Sequence, residues 1–174
     1  MPHKKALPWD PIAEAHRQWK LHGWDAEADG MAAVTSIMRA QQIMLARVEA
    51  LLRPFKLTFA RYELLRLLSF TRDGAMPMAS ASARLQVHPT SVTNTTDRLE
   101  GAGLIRRSAH PTDGRATLIW ITPAGREVVD SATAAINRDF FADVGMDPTD
   151  QENLVAILAR FRRDAGDFAE PVPS

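Results

Sequence analysis

The chain has 174 residues, of which 24 % are charged and 45 % hydrophobic, and it contains no cysteine. This composition is typical of a folded globular protein and excludes global disorder, disulfides, thiol redox chemistry and cysteine-based zinc sites. No apolar run reaches about 18 residues, and no apolar segment follows residues 1–5. We therefore expect no membrane span, no secretory signal and a cytoplasmic location.

The formal net charge is zero, but the charges are distributed unevenly along the chain. Residues 57–126 contain nine basic residues, all of them arginine, and five acidic residues. Arginine is suited to forked contacts with phosphate and guanine, so this part of the chain favours nucleic acid as a partner. An excess of this size also arises by chance, and the charge alone does not decide the function.

Helical periodicity dominates the first third of the sequence. Asp10 and Pro11 predict the cap and first turn of a helix that ends near Gly23. A short acidic connection, or a loose first turn, is expected at residues 25–30. From about Asp29, apolar residues recur at spacings of three and four as far as the helix-stopping proline at position 54. About 25 helical residues make a rod of roughly 38 Å, long enough to cross a domain or reach a partner subunit.

Three short helices are predicted in the middle of the chain, and a tight connection joins the last two. Thr58 is a good N-cap for the first of them. The other two cover residues 78–86 and 89–102, and Gly103 followed by Leu104 is typical of a Schellman stop. Two short helices joined in this way have the dimensions of a helix-turn-helix.

The helix predicted at residues 89–102 carries hydroxyl and amide side chains, which are mediocre helix formers. Val92, Thr96 and Leu99 are spaced by four and three and are expected to face the core. The outward positions are then Thr90, Ser91, Asn94, Asp97 and Arg98, with Thr93 at the margin. Short polar side chains suit the base edges and phosphates of DNA, while a merely solvated helix face is the alternative.

A β-hairpin and two further helices are predicted to complete the chain. Residues 104–109 and 117–121 are expected to pair as strands, and the Asp-Gly pair between them is typical of a hairpin loop. The next helix is predicted to run from Pro123 to about residue 144. Thr149 and Glu152 have the spacing of a capping box for the last helix. That helix is expected to bury Leu154, Ile157, Leu158 and Phe161.

Three blocks of sequence resemble those of a known family. They are L-T-F-A-R-Y-E-L-L, then R-L-Q-V-H-P-T-S-V-T-N-T-T-D-R-L-E-G-A-G-L-I-R-R, then D-G-R-A-T-L-I-W-I-T-P-A-G. Over about residues 31–162 the chain resembles the MarR-type winged-helix transcriptional regulators. The resemblance implies a mainly α fold with a small β-hairpin wing (α+β), a winged helix-turn-helix with an N- and C-terminal helical dimerisation layer. The implied divisions are dimerisation helices at 10–56, a DNA-binding lobe at 57–122 and further dimerisation helices at 123–166.

The resemblance also implies a function and a set of contacts. Members of this family are usually homodimeric repressors of palindromic operators in double-stranded DNA, released by a small and often aromatic ligand. The helix at 89–102 would enter the major groove, and Asp113 would hold Arg115 at the wing tip for the minor groove. Arg98, Arg106 and Arg107 are candidates for phosphate contact, although Arg98 also has Asp97 and Glu100 as local partners. The full set of candidate DNA contacts is Pro89, Thr90, Ser91, Thr93, Asn94, Arg98, Arg106, Arg107, Asp113 and Arg115.

Other classes of site are less well supported by the residues. A pocket for a flat aromatic ligand, or plain interface packing, is indicated by Trp19, Trp24, Phe55, Phe59 and Tyr62. No metal site, cofactor or catalytic motif is expected, since His16 and His22 are six residues apart and no Ser-His-Asp order or phosphate loop is present. The alternative functions are an activator of the same family, a winged-helix protein-interaction module without DNA binding, and an enzyme.

Overall fold

A computed structural model of the chain describes residues 6–113 and 116–170. It confirms a mainly helical fold with a small antiparallel sheet, and it divides into two compact units, residues 1–136 and 137–174. The elements of the first unit are α1 (Pro11–Leu21), α2 (Asp25–Leu52), α3 (Phe59–Ser69), β1 (Ala75–Pro77), α4 (Met78–Leu85), α5 (Pro89–Gly101), β2 (Ile105–Ala109), β3 (Thr117–Ile121) and α6 (Pro123–Ile136). The second unit contains a π-helical segment, Asn137–Phe141, and α7 (Pro148–Asp164).

Helices α1 and α2 pack against each other at the start of the first unit. The predicted cap of α1 is confirmed, because the Asp10 carboxylate accepts a hydrogen bond from the Ile12 N–H at 2.9 Å. Of the two alternatives expected for residues 25–30, the first helical turn is correct and the connection is wrong, because α2 begins at Asp25 and not near Asp29. The acidic residues Asp25 and Glu27 lie in its first turn, where they favourably meet the positive end of the helix dipole.

Helix α3 lies at the centre of the first unit and contacts α2, α4, α5, α6 and the sheet. Thr58 caps it as predicted, accepting a hydrogen bond from the Arg61 N–H. The predicted inward face of α5 is also confirmed, since Val92, Thr96 and Leu99 are buried. The Thr96 hydroxyl donates to the Val92 carbonyl at 2.6 Å, so this buried polar group is satisfied within its own helix.

The sheet has three antiparallel strands in the order β1-β3-β2. The predicted hairpin is confirmed as β2 and β3, with Ile105 opposite Ile121 and Arg106 opposite Trp120. The sequence did not predict β1, which pairs with β3 through three residues. This strand fixes the root of the hairpin to the segment that leads into α4.

A Schellman motif ends α5, as predicted. The Leu104 N–H donates to the Leu99 carbonyl at 3.0 Å, and the Gly103 N–H donates to the Glu100 carbonyl at 2.8 Å. Gly103 has a φ of 71°, in the left-handed region that glycine adopts at little cost. The chain therefore turns directly from the C-terminus of α5 into β2.

The start of α6 packs onto this turn. Thr122 donates its hydroxyl hydrogen to the Gly103 carbonyl at 2.8 Å and accepts the Gly125 N–H at 3.0 Å. Gly125 is buried, and a Cβ atom there would collide with the Leu104 carbonyl oxygen and lie 2.9 Å from the Ile121 side chain. This close approach holds α5, the hairpin and α6 in one arrangement.

Two expectations for the C-terminal helices are wrong, and a third, the burial of α7, is not met within the single chain. Helix α6 ends at Ile136 rather than near residue 144. The cap of α7 is Asp147, whose carboxylate accepts the Asp150 N–H at 2.9 Å, so Thr149 lies inside the helix and forms no capping box. Within the single chain α7 has no buried residue: Ile157 is 53 % and Phe161 67 % exposed, while Leu154 and Leu158 are half-buried.

Candidate nucleic-acid interface

Helices α4 and α5 meet at a tight connection that turns the N-terminus of α5 outward. Gln86 ends α4 with a φ of 54°, a left-handed conformation that reverses the chain within a few residues. His88 caps α5, although histidine is not a preferred cap, because its Nδ1 accepts the Thr90 N–H at 3.3 Å. The first residue of α5, Pro89, is exposed, and so are all the expected outward positions, namely Thr90, Ser91, Thr93, Asn94, Asp97 and Arg98.

One flank of α5, which we call the wing flank, is made of the Thr93 carbonyl, Asp97 and Glu100. The Arg107 guanidinium lies against it, with Nη2 2.6 Å from Asp97 Oδ1 and Nη1 3.0 Å from Glu100 Oε2. The Arg107 N–H also donates to Glu100 at 2.9 Å, and Nη2 donates weakly to the Thr93 carbonyl at 3.4 Å. Arg107 therefore ties β2 to α5, and the Asp97 carboxylate is engaged within the protein.

The opposite flank consists of Ser91, Asn94, Thr95 and Arg98. We call it the cleft flank, because Asn94, Thr95 and Arg98 line a cleft between α5 and α3. Among the residues that the structure describes, the Ser91, Asn94 and Arg98 side chains have no hydrogen-bond or ion-pair partner. The local pairing considered for Arg98 is not formed, since Arg107 occupies both carboxylates. These three side chains point their polar groups at solvent.

The two threonines of the outward face differ from Ser91 and Asn94. The Thr93 hydroxyl donates to the Pro89 carbonyl at 3.1 Å, and the Thr90 hydroxyl lies 3.1 Å from His88 Nδ1. Both hydroxyls thus have a partner within the first turn of α5. Their hydrogen-bonding capacity is partly used by the fold, whereas that of Ser91 and Asn94 is open.

Arg106 lies exposed on the sheet and is held over an aromatic ring. Its guanidinium is 4.5 Å from the centre of the Trp120 ring, a cation–π contact across the two paired strands. The Trp120 indole is itself fixed, because Nε1 donates to Ser108 Oγ at 2.9 Å. The indole therefore orients a cation that remains open to solvent on its other side.

The hairpin loop is closed by two backbone hydrogen bonds. The His110 N–H donates to the Ala116 carbonyl, and the Ala116 N–H donates to the Asp113 carbonyl, both at 3.0 Å. Arg115 lies outside the described residues, and so does the predicted pairing of Asp113 with it. The wing-tip contact stays a prediction.

The five aromatic residues considered for a ligand pocket include two ring pairs. Trp19 and Trp24 meet edge to face at 5.3 Å, and Phe59 stacks on Tyr62 at 6.3 Å. The Tyr62 hydroxyl lies 3.0 Å from Thr133 Oγ1 in the core, and Phe55 is half-buried in a 3₁₀ turn after α2. Packing accounts for the Tyr62 position, and the aromatic ligand remains a prediction.

A polar cleft separates the N-terminal end of α3 from α5. It has a volume of about 580 Å³ and is lined by Thr58, Arg61, Asn94, Thr95, Asp97 and Arg98. Sequence reasoning did not place Thr58 or Arg61 at the interface, because only the packing of α3 on α5 brings them there. Within residues 6–113 and 116–170, no cluster of histidine and acidic side chains is suited to a metal ion, and no helix could span a membrane.

Comparisons with known proteins agree with this geometry. Residues 57–117 match the model of the MarR family. The chain is 32 % identical over 85 residues to YhbI of Bacillus subtilis, an uncharacterised HTH-type transcriptional regulator, and spans about half of that protein's length, 54 %.

Solved structures match over more of the chain. Sco3205 of Streptomyces coelicolor, a MarR family regulator solved in complex with DNA, has the same fold at 20 % identity, with a TM-score of 0.67 over 82 % of this chain and 89 % of that chain. Sco5413 of Streptomyces coelicolor, a MarR family transcriptional regulator, is 48 % identical, with a TM-score of 0.74 over 82 % of this chain and 99 % of Sco5413. The chain therefore belongs to the MarR family of transcriptional regulators.

Proposed function

We propose that the protein is a homodimeric, sequence-specific DNA-binding regulator that represses transcription from a palindromic operator. The observation that carries this proposal is the cleft flank of α5. There Ser91, Asn94 and Arg98 are exposed, and their polar groups have no partner among the residues that the structure describes. The likeness of the fold to Sco3205, which was solved with DNA, supports it. Membership of a family of regulators removes the enzyme alternative.

We assign different roles to the polar residues of α5 according to their partners. Asn94 and Ser91 contact base edges, and the Asn94 amide can bond an adenine through two hydrogen bonds in the major groove. Pro89, Thr90 and Thr93 shape the first turn that enters the groove. Bases are distinguished by hydrogen bonds to their edges. We therefore propose that Ser91 and Asn94, whose donors and acceptors have no partner among the described residues, carry most of the specificity.

We assign the arginines to three roles. Arg98 and Arg106 contact phosphates, which gives affinity independent of sequence and sensitive to salt. Arg107 positions the hairpin against α5, because its charge is already matched by two carboxylates. Arg115, held by Asp113, enters the minor groove from the wing.

A second copy of the chain is the proposed partner for the exposed apolar residues of the terminal helices. On α2 these include Val34, 58 % exposed, and Met38, 61 % exposed; on α7 they include Phe161. We propose that residues 10–56 and 123–166 form the dimer layer around a DNA-binding lobe at 57–122. A two-fold dimer places two α5 helices about one DNA turn, ~34 Å, apart, which matches a palindrome.

Light scattering tests the assembly. We expect twice the chain mass of 19.3 kDa at micromolar concentration. A monomer at that concentration contradicts the dimer.

Release by a flat aromatic ligand bound near the Trp19–Trp24 and Phe59–Tyr62 pairs is the regulatory part of the proposal. Loss of operator binding on ligand titration tests it.

Selection of bound fragments from the source genome tests DNA recognition. We expect a palindromic consensus and an affinity that falls steeply with salt, because phosphate contacts release counterions. Arg115→Ala should weaken operator binding with unchanged dimer mass and helicity. A protein-interaction module without DNA binding would give no consensus and no salt dependence.

A further inference from the structure

We propose that Arg61 and Arg98 together bind one DNA backbone phosphate in each half-site, in the cleft between α3 and α5. Helix α3 then takes part in DNA contact beside the helix-turn-helix and the hairpin. The inference rests on the proposed function, and it adds a phosphate site whose two cations come from different helices.

The charges of the cleft support an anionic occupant. Arg61 and Arg98 both line it, and neither forms an ion pair or hydrogen bond through its guanidinium with another described residue. Asp97 also lines the cleft, but the Arg107 guanidinium is 2.6 Å from its carboxylate on the far side. The acid is thus neutralised by an arginine outside the cleft, and the two cleft arginines retain an unmatched positive charge.

The position of the cleft favours DNA as the source of the anion. Asn94 lies on its wall, one helical turn before Arg98, so a base contacted by Asn94 has its own backbone close to both arginines. The cleft has a volume of about 580 Å³, which is large enough for a phosphodiester group to enter without displacing side chains. Arg61 is half-buried at the first turn of α3, which limits the side-chain freedom lost on binding.

The lining disfavours a flat aromatic ligand at the same place. It consists of two threonines, an asparagine, an aspartate and two arginines, and it offers no aromatic or large aliphatic side chain for stacking. Small-molecule sites are mostly apolar with a few polar groups. A phosphate oxygen, in contrast, is satisfied by charge-assisted hydrogen bonds from guanidinium groups alone.

The test uses the full-length dimer and a duplex carrying the selected operator. Arg61→Gln and Arg98→Gln keep a polar, though shorter, side chain and remove the charge. The matched control is Arg72→Gln, an exposed arginine in the turn after the C-terminal end of α3. We expect each cleft variant to lower operator affinity about tenfold at 0.1 M salt and to reduce the salt dependence, while the control leaves both unchanged.

Two further measurements identify the shared phosphate. The double variant should lose less affinity than the product of the two single losses, because both arginines serve one group. Binding of the wild type should weaken about tenfold on a duplex with a neutral methylphosphonate at that position in each half-site. The same duplex should weaken Arg61→Gln by less, because Arg98 still contacts the phosphate, and should leave the double variant unaffected.

The outcomes separate this inference from the proposed function. If the wild type binds the operator with a normal salt dependence and Arg61→Gln binds equally well, the shared phosphate site is wrong and the DNA-binding function stands. If the wild type selects no DNA, both are wrong. Binding of inorganic phosphate to the protein without DNA is the last measurement. If Arg61→Gln binds DNA with full affinity but no longer binds inorganic phosphate, the cleft is a site for a small anion and the inference is also wrong.

Discussion

The wing flank and the cleft flank of α5 belong to one helix, yet they differ in how far their polar groups are satisfied. On the wing flank, the Asp97 and Glu100 carboxylates and the Thr93 carbonyl all accept hydrogen bonds from Arg107. On the cleft flank, Ser91, Asn94 and Arg98 have no such partner among the described residues.

The difference separates polar groups that stabilise the fold from polar groups that are available to bind a ligand. Polar groups that satisfy each other hold the hairpin against the helix, and they have little left to offer a ligand. Groups left to water are available for exchange with base edges and phosphates. The two flanks should therefore respond in opposite ways to substitution: the wing flank in stability, and the cleft flank in DNA affinity.

The largest expected effect comes from the support common to both flanks. Gly125→Ala should destabilise the fold by about 3 kcal/mol, because the new methyl group collides with the Leu104 carbonyl and backbone must shift. Urea denaturation measures it. Gly101→Ala is the matched control, since its Cβ meets open space and alanine favours a helix; it should not destabilise.

On the wing flank, Arg107→Met should lower the free energy of unfolding by about 2 kcal/mol. Removing the guanidinium leaves Asp97 and Glu100 as neighbouring, unpaired carboxylates, and the cost is moderate because the ion pairs are partly exposed. Denaturation at pH 7 checks the value. The triple variant that also carries Asp97→Asn and Glu100→Gln should recover part of the loss; no recovery would contradict the ion-pair explanation.

On the cleft flank, Asn94→Ala should weaken operator binding by about 1–2 kcal/mol while leaving the fold unchanged or slightly more stable. Affinity should relax at one base position, which titration against single-base operator variants reveals. Asn153→Ala, at an exposed position of α7, is the control and should leave affinity intact. A loss of stability in Asn94→Ala would mean that the two flanks do not differ as described.

The smallest effect concerns a group on neither flank. Burial raises the pKa of the Glu63 carboxyl on α3 above its ordinary value of 4.5. Folding then favours the protonated acid, so this contribution to stability is present at low pH and is lost as pH rises through the folded-state pKa. Glu63→Gln should raise the urea midpoint slightly at pH 7 and make no difference below pH 4.5. An equal gain at both values would point to packing instead.

Local sequence signals predicted the helices and the hairpin of the helix-turn-helix region. They failed where segments distant in the sequence pack together. The Schellman stop at Gly103 and the Thr58 cap depend on residues within one turn, so spacing alone revealed them. Strand β1 has three residues, one of them proline, and forms only by pairing with β3 more than 40 residues later. No pattern in residues 75–77 signals that pairing.

The site shows the same division. The outward positions of α5 followed from its periodicity, but the partner of Asp97 did not, because Arg107 reaches it only after the chain has passed the stop and entered β2. The position of Arg61 in the cleft could not be predicted either, because it depends on the packing of α3 beside α5. The cap at Asp147 was missed, although an Asp cap followed by a proline begins α7 just as it begins α1. The later Thr149 signal competed with it.

The stack of Arg106 on Trp120 provides an optical reporter of the bound state. A phosphate that draws the guanidinium away from the indole changes the ring's surroundings, so tryptophan emission should respond to DNA. The other tryptophans of the chain are Trp9, Trp19 and Trp24, all in the N-terminal segment. Replacing those three with phenylalanine would leave Trp120 in the hairpin as the single tryptophan, and its emission would follow the arrival of DNA in real time.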